Sequence, residues 1–406
     1  MHILCISLTG KQNQGARSIQ MAKVIKALQM QGAFVTVITH LNDKLEDPGP
    51  DAGRVIRINP SPKGFFPHLR GVANRISGRV HPGLDPTLRM AIEKAMEVVK
   101  NENPDCLFSS SNPVGSHLAA RMVARRSGLP WLASFSDPKP STMLPPPYGG
   151  GIKKYFPKAY APALKKVLHD CDAVHMPTRI CLDIMGDHYG VALGERGVAI
   201  PPIGETEALT PKKSYNGSLI HLGSISRRLS NEFTGALAGF CQNPPAHFSG
   251  LLFVGKHHKK TASLMQKAGL GKFVNTRPQL PHTEALEELS RASAVLILEA
   301  DMAFSHALPS KFAEAAFSGT PILAITPARS AVRDYLNAFG GGIASGHSRT
   351  EILEALHRLF EPGPEGLRLL AAGQQKLAPE FGFEQVGRRY MEVFDRIVRA
   401  KLSPPH

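Results

Sequence analysis

The chain has 406 residues, 42% of them hydrophobic and 20% charged, with a formal net charge of +15. That length fits two domains, each able to bury its own core, and the composition excludes a disordered chain. No stretch approaches the ~20 apolar residues of a membrane span, and the first residues lack the basic start and apolar run of a secretory leader, which predicts a cytoplasmic protein.

Strand and helix alternate from the first residue. His2-Ile3-Leu4-Cys5-Ile6-Ser7-Leu8 reads as a short buried strand, Thr9 to Gly15 as a loop, and Ser18 to Gln31 as a helix carrying Ile19, Ala22, Ile25 and Leu28 at helical spacing. Gly32 ends that helix and Phe34 to Thr39 is the next strand, so a βαβ unit opens a parallel sheet. Further strands are predicted at Cys106–Ser109, Trp131–Phe135 and Ala173–Met176. Pro201-Pro202-Ile203-Gly204 and the polar stretch to Gly217 interrupt the pattern. A second series follows at Ser218–Gly223, Gly250–Gly255, Phe273–Asn275, Ala294–Leu298 and Pro321–Ile325, the strands of another parallel sheet. The last predicted helix runs from Phe383 to Arg399 beyond a break at Pro379 to Gly382, placed to pack back on the first domain. The expected organisation is a doubly wound domain at 1–199, a linker at 200–217, a second doubly wound domain at 218–380 and a returning helix at 381–406.

The positive charge predicts anionic partners and is concentrated in the first half. Six arginines and lysines between Arg54 and Arg79, and six lysines between Lys139 and Lys166, occur without an acidic residue among them. Gly64–Arg79 and Gly151–Lys158 mix those cations with aromatics, the composition of a peripheral membrane patch or of a solvated helix face. The five cysteines, Cys5, Cys106, Cys171, Cys181 and Cys241, show no C-x-x-C pair or zinc spacing and read as ordinary buried thiols. Neither G-x-G-x-x-G nor G-x-x-x-x-G-K-[ST] occurs, which disfavours a dehydrogenase or a P-loop ATPase.

Open α/β sheets bind ligands at the carboxyl ends of their strands, so the residues there are the candidates. After the strand ending at Leu298-Glu299, Pro309-Ser310-Lys311-Phe312-Ala313-Glu314 opens a helix that Gly319 ends. A helix N-terminus offers unpaired N–H groups to a phosphate, Lys311 adds a full charge, and Glu314 one turn on is an acceptor for both hydroxyls of a ribose. The plainer alternative makes Ser310 an N-cap and Lys311 and Glu314 a solvated first turn. In the first half, His117 follows Ser111-Asn112-Pro113, and Asp137 follows another strand end, where a carboxylate can take a hydroxyl proton or orient reacting groups. A satisfied helix-start histidine and a turn-forming Asp-Pro are the alternatives there. Lys256 precedes His257 and His258 after a strand end, and vicinal histidines point apart, so no metal site is predicted.

Pro309-x-Lys311-x-x-Glu314 followed by Gly319-Thr320-Pro321-Ile322 resembles the donor-binding segment of GT-B glycosyltransferases of the retaining family-4 type. His221 to Arg228 is similar to that family's glycine-then-arginine turn, Leu252 to Gly255 to its second strand, and Gln279 to Glu284 to the loop beside the base. Ser136-Asp137-Pro138 resembles the Arg-Asp-Pro-Trp motif of a subgroup acting on cell-surface polysaccharides. The resemblance runs over nearly the whole chain.

It implies a GT-B fold, two facing Rossmann-like domains with a C-terminal helix crossing back, and a retaining hexosyl transfer without metal or cofactor. The donor would be a nucleotide-sugar and the acceptor a glycan or lipid-linked glycan in surface polysaccharide synthesis; the basic, aromatic-bearing stretches, not the resemblance, add the expectation of a protein peripheral to the inner face of the plasma membrane. Arg227 or Arg228 and Lys311 would neutralise the donor diphosphate, and Glu314 would hold the ribose. Gly15, Ser224, Lys256 and Ser310 complete the expected donor contacts, with Asp137 and His117 as the catalytic candidates. The family pattern carries a glutamate eight residues before the ribose-binding one, and here that position is His306; Glu299 and Asp301 lie nearby at other spacings. A nucleotide-sugar epimerase or hydrolase on the same plan is the alternative. A basic nucleic-acid-binding protein is suggested only by charge and lacks a recognisable binding motif.

Overall fold

The computed structural model describes residues 1–8, 16–41, 51–59, 85–111, 113–149, 160–207, 215–225 and 228–402. By its internal contacts the chain divides into two units, one of Met1–Ile200 with Phe383–His406 and the other of Pro201–Gly382. Both are Rossmann-like, and the architecture is that of a GT-B fold.

The first unit is built on seven parallel strands, β1 (His2–Ile6), β2 (Phe34–His40), β3 (Gly53–Ile58), β4 (Cys106–Ser110), β5 (Trp131–Ser134), β6 (Ala173–Met176) and β7 (Gly197–Ala199). Their order is β3-β2-β1-β4-β5-β6-β7, so the chain winds outward one way from β1 and then the other way from β4. Parallel neighbours need crossovers, and Ala16–Met30, Pro86–Glu102, Gly115–Ser127, Tyr160–Asp170 and Arg179–Tyr189 are the described helices between strands. β4 and β5 are buried at every residue, which is why they read as unbroken apolar or small-residue runs. The edge strands β3 and β7 are additions to the sequence reading. β3 exposes Arg54 and Arg57, the charged residues of a sheet edge, and so lacks the apolar signature of a central strand.

The helix Phe383–Leu402 belongs to this unit, packing along Ala16–Met30. Gly387 is required there, because a Cβ would fall 2.7 Å from the Ala27 carbonyl oxygen. Tyr390 and Phe394 meet Phe108 of β4 edge-on, with ring centroids 5.9 and 5.7 Å away. Arg396 donates to the Glu195 carbonyl at 2.8 Å.

The second unit carries β8 (Ser218–Leu222), β9 (Gly250–Val254), β10 (Val274–Arg277), β11 (Ala294–Leu298), β13 (Ile322–Ile325) and β15 (Gly342–Ser345), in the order β10-β9-β8-β11-β13-β15. The short strands β12 (Phe304–Ser305) and β14 (Arg329–Ser330) pair beside it. Alternate residues of β11 feed two cores: Leu296 and Leu298 pack with Phe233, Phe240 and Phe360, and Val295 and Ile297 pack with Phe312 and Phe381. β15 is a sixth strand beyond the five expected. Its Gly342 lies so close to the Ile322 carbonyl that a Cβ would clash at 2.1 Å, and glycines at 340–342 disguise it as a loop in sequence.

None of the five cysteines is in a disulfide, and all are buried. No described helix is long and apolar enough to cross a membrane.

Candidate functional site

Strand order reverses between β1 and β4 in the first unit and between β8 and β11 in the second, the switch points where open sheets leave a crevice. In the second unit the helix Ser310–Phe317 begins after Pro309, which is extended at φ −64 and ψ 135, and no side chain caps it. Ser310 is therefore the first helical residue and not the N-cap. Phe312 N–H turns back to the Pro309 carbonyl at 2.9 Å.

Glu314 is only 1% exposed, which removes the solvated-turn alternative for it. A carboxylate so buried needs partners. Lys311 Nζ donates to its Oε2 at 2.8 Å, and His282 Nε2, at the start of the helix His282–Arg291, stands 3.5 Å from its Oε1. Lys311 Nζ is also 3.5 Å from His282 Nδ1. An ammonium has three N–H donors and a carboxylate about four acceptor positions, so this cluster keeps capacity for both an anion and a diol. Behind it the backbone is packed tightly: a Cβ on Gly204 would sit 2.0 Å from the Ala313 carbonyl oxygen.

Glu299, at the end of β11, is buried and already committed. It accepts from Ser305 Oγ at 2.5 Å, from Ser330 Oγ at 2.8 Å and from Thr326 Oγ1, tying the loops after β11 and β13 together. Ser330 in turn caps the helix Ala331–Phe339 through Val332 N–H. Glu299 is thus a structural hub, Asp301 is exposed, and His306 is buried.

At the ends of β8 and β9 the chain passes in direct contact with itself. Gly223 N–H donates to the Val254 carbonyl at 2.8 Å, and a Cβ on Gly255 would lie 2.1 Å from the Gly223 oxygen. Ser224 and Lys256 are exposed beside these turns, and His257 takes a left-handed φ of 65° ahead of the helix His258–Lys267. Arg228 extends Nη1 to 3.5 Å from the Leu298 carbonyl, at the end of β11. Arg227 and Gly15 lie outside the described residues. Among the described residues, no group of three or more histidines, cysteines or carboxylates is placed to hold a metal ion.

In the first unit His117 is buried, its Nδ1 2.8 Å from Ser109 Oγ and its ring 4.1 Å from Phe135 between centroids. Burial, aided by the nearby Arg17 charge, holds its pKa down to about 3, so the ring is neutral at physiological pH. Asp137 is exposed and accepts from Ser136 Oγ at 3.1 Å; no hydrogen bond joins it to His117. Sequence reasoning passed over Arg17. Its Nη2 donates to Ser110 Oγ at 2.5 Å and Ser134 Oγ at 3.1 Å, at the carboxyl ends of β4 and β5. A βαβ opening with an arginine in the first turn of its helix was the available signal.

No protein-family profile matches the chain, and no curated protein matches it in sequence. Solved structures do match its fold. Sucrose-phosphate synthase from Thermosynechococcus elongatus superposes with a TM-score of 0.69 at 16% identity, over 98% of this chain and 99% of that one. Anabaena HepE in complex with UDP gives 0.66 at 12% identity, over 98% and 100%. WaaG, a glycosyltransferase of lipopolysaccharide biosynthesis, gives 0.61 at 16%, over 97% and 99%. HepE is also similar in its complex with UDP-glucose, at a TM-score of 0.63 and 12% identity.

Proposed function

We propose that this protein is a glycosyltransferase that moves a hexosyl group, with retention, from a nucleotide-sugar to a hydroxyl of a glycan or lipid-linked acceptor in surface polysaccharide synthesis. The observation that carries the reading is the buried Glu314 paired with Lys311 at the uncapped start of Ser310–Phe317. Departure of a nucleoside diphosphate builds negative charge on the leaving oxygen, which a pre-placed ammonium and helix N-terminus stabilise. Lys311, joined by Arg227 or Arg228, takes the diphosphate, and Glu314 takes the ribose hydroxyls. Ser224, Lys256, Ser310 and Gly15 complete the donor contacts. The second unit is the donor domain, and the first, with Asp137 and His117, is the acceptor domain. The folds shared with HepE, whose structures hold UDP and UDP-glucose, support the reading.

A neutral His117 is suited to a hydrogen bond and not to a standing positive charge, leaving Asp137 as the group that accepts the acceptor's proton. The basic segments dock the first unit on anionic membrane; Gly64–Arg79 and Gly151–Lys158 lie outside the described residues. Flotation with anionic liposomes at low salt tests the docking, and absence of binding removes it.

Thermal-shift titration with UDP-, GDP- and other nucleotide-sugars tests the core of the proposal. One donor raises the melting temperature, and Lys311→Ala and Glu314→Ala each abolish that rise. Unchanged donor affinity in both variants overturns the site. Donor turnover without any acceptor would instead mark an epimerase or hydrolase.

A further inference from the structure

At the β1/β4 switch point of the first unit, three buried polar atoms have no hydrogen-bond partner among the described residues: Arg17 Nε, Ser111 Oγ and His117 Nε2. Buried donors are almost always satisfied, so three orphans on adjacent strand ends and helix starts call for a ligand. Ser111 and His117 are fully buried.

The protonation of each atom follows from its surroundings. Trp131 Nε1–H can only donate, and it gives its hydrogen to Ser109 Oγ at 2.8 Å. Ser109 can then pass its own hydrogen to His117 Nδ1 at 2.8 Å, which places the ring proton on Nε2. The orphan on His117 is therefore an N–H donor. Arg17 Nε is a donor by nature, and Ser111 supplies a rotating hydroxyl.

Arg17 has no ion pair with any described carboxylate; both hydrogens of its Nη2 go to neutral serine hydroxyls. Ser134, one of them, is 2.8 Å from His175 Nδ1, and His175 Nε2 is 3.0 Å from the Ile200 carbonyl, which only accepts. His175 thus carries its hydrogen on Nε2 and takes one from Ser134, so this chain relays no negative charge to Arg17. A half-buried guanidinium bonded only to neutral hydroxyls, with the exposed Asp137 carboxylate acting on it without an ion pair, is an incompletely compensated cation. It stands in the first turn of Ala16–Met30, whose dipole adds to the same sign.

We propose that Arg17, Ser111 and His117 form an oxyanion site of the first unit, which binds a phosphate or carboxylate group of a small ligand. Three unpartnered buried polar atoms at one strand-end switch point, two of them donors by nature or tautomer and one on a charged group, match an oxyanion better than a cation or a hydrocarbon. Under the glycosyl-transfer reading, on which only this last assignment rests, the anion belongs to the acceptor.

The chain's single tryptophan is the reporter, since Trp131 reaches His117 through Ser109. Full-length protein is titrated at fixed ionic strength with glycerol 1-phosphate, with glucuronate and with chloride, following tryptophan emission. A saturable change with either organic anion and none with chloride supports the site, and the anion that binds identifies the source. Arg17→Gln weakens that binding about tenfold or more, as expected when a charge-assisted bond is lost. Ser111→Ala removes only an unbonded hydroxyl, so its fold is safe, and it weakens binding severalfold. No saturable response to either anion, or equal affinity in wild type and both variants with native circular dichroism, overturns the proposal. Lys311→Ala leaves this binding intact, and Arg17→Gln leaves UDP binding intact. Loss of UDP binding in Arg17→Gln overturns the acceptor assignment, whereas loss of it only in Lys311→Ala keeps the two sites separate.

Discussion

In the second unit, the buried charges past the strand ends are answered from within: Glu314 by Lys311 and His282, Glu299 by three hydroxyls. In the first unit, Arg17 is hydrogen-bonded only to neutral hydroxyls, and the buried Ser111 Oγ and His117 Nε2 have no partner among the described residues. A self-compensated cluster holds its geometry in the absence of ligand and must share its partners when one arrives. An incompletely compensated one carries a standing electrostatic cost that a ligand relieves. The two crevices therefore differ in what mutation does to each, with stability and binding linked in the second unit and separable in the first.

The sharpest break in this contrast is Lys311→Ala. Removing the ammonium strands Glu314 as a buried charge and should cost about 3 kcal/mol or more of stability by urea denaturation. Lys311→Met combined with Glu314→Leu should recover most of that loss while remaining unable to bind nucleotide, which separates the pair's structural role from its ligand role. Little or no loss of stability in the single variant would show that solvent reaches Glu314 and that the compensation is not needed.

Glu299→Ala comes next. Three buried hydroxyls lose their common acceptor, and a loss of about 2–3 kcal/mol is expected, with Glu299→Gln costing less because it keeps one carbonyl oxygen. An alanine variant as stable as wild type would mean the hub is dispensable.

The pH dependence sharpens the comparison further, because depressed histidines occur in both units. His117 and His175 are pushed down to about 3 and His221 to about 4, each mainly by burial. Unfolding frees these rings to take up protons below their ordinary value of 6.5. The unfolded state then binds more protons, so stability falls as pH drops from about 6.5 and is flat above it as far as these groups are concerned. Melting temperatures recorded between pH 4 and 8 should show that fall, and His117→Gln should make it shallower. A pH-independent melting temperature down to pH 4 would contradict the buried neutral rings.

The smallest effect is expected at the surface. Arg368 and Glu365 pair at 2.9 Å but are 61% and 69% exposed as side chains, and Arg368→Ala should change stability by about 0.5 kcal/mol or less.

Much of this architecture is legible in sequence because central parallel strands are buried on both faces. β11, with its unbroken Ala294-Val295-Leu296-Ile297-Leu298, announces itself. β3 and β15 do not, since an edge strand with arginines and a strand begun by glycines lack that run. The same division holds for the sites. Ser310, Lys311 and Glu314 are neighbours on one helical turn, so spacing alone brings them together. Arg17 bonds to partners 93 and 117 residues away, and Glu299 to partners as far as 31 away, which only the folded sheet aligns. His282 meets Lys311 across 29 residues, and no local pattern says so.

The helix Phe383–Leu402 has a consequence for synthesis on the ribosome. Phe108 and the helix Ala16–Met30 are translated early, yet Tyr390, Phe394 and Gly387, which cover them, emerge only after all of Pro201–Gly382. The unit that comes first in sequence is thus the last to finish folding, and the second can close while the first still exposes an apolar face. Truncation after Gly382 should accordingly damage the remote first unit and spare the adjacent one.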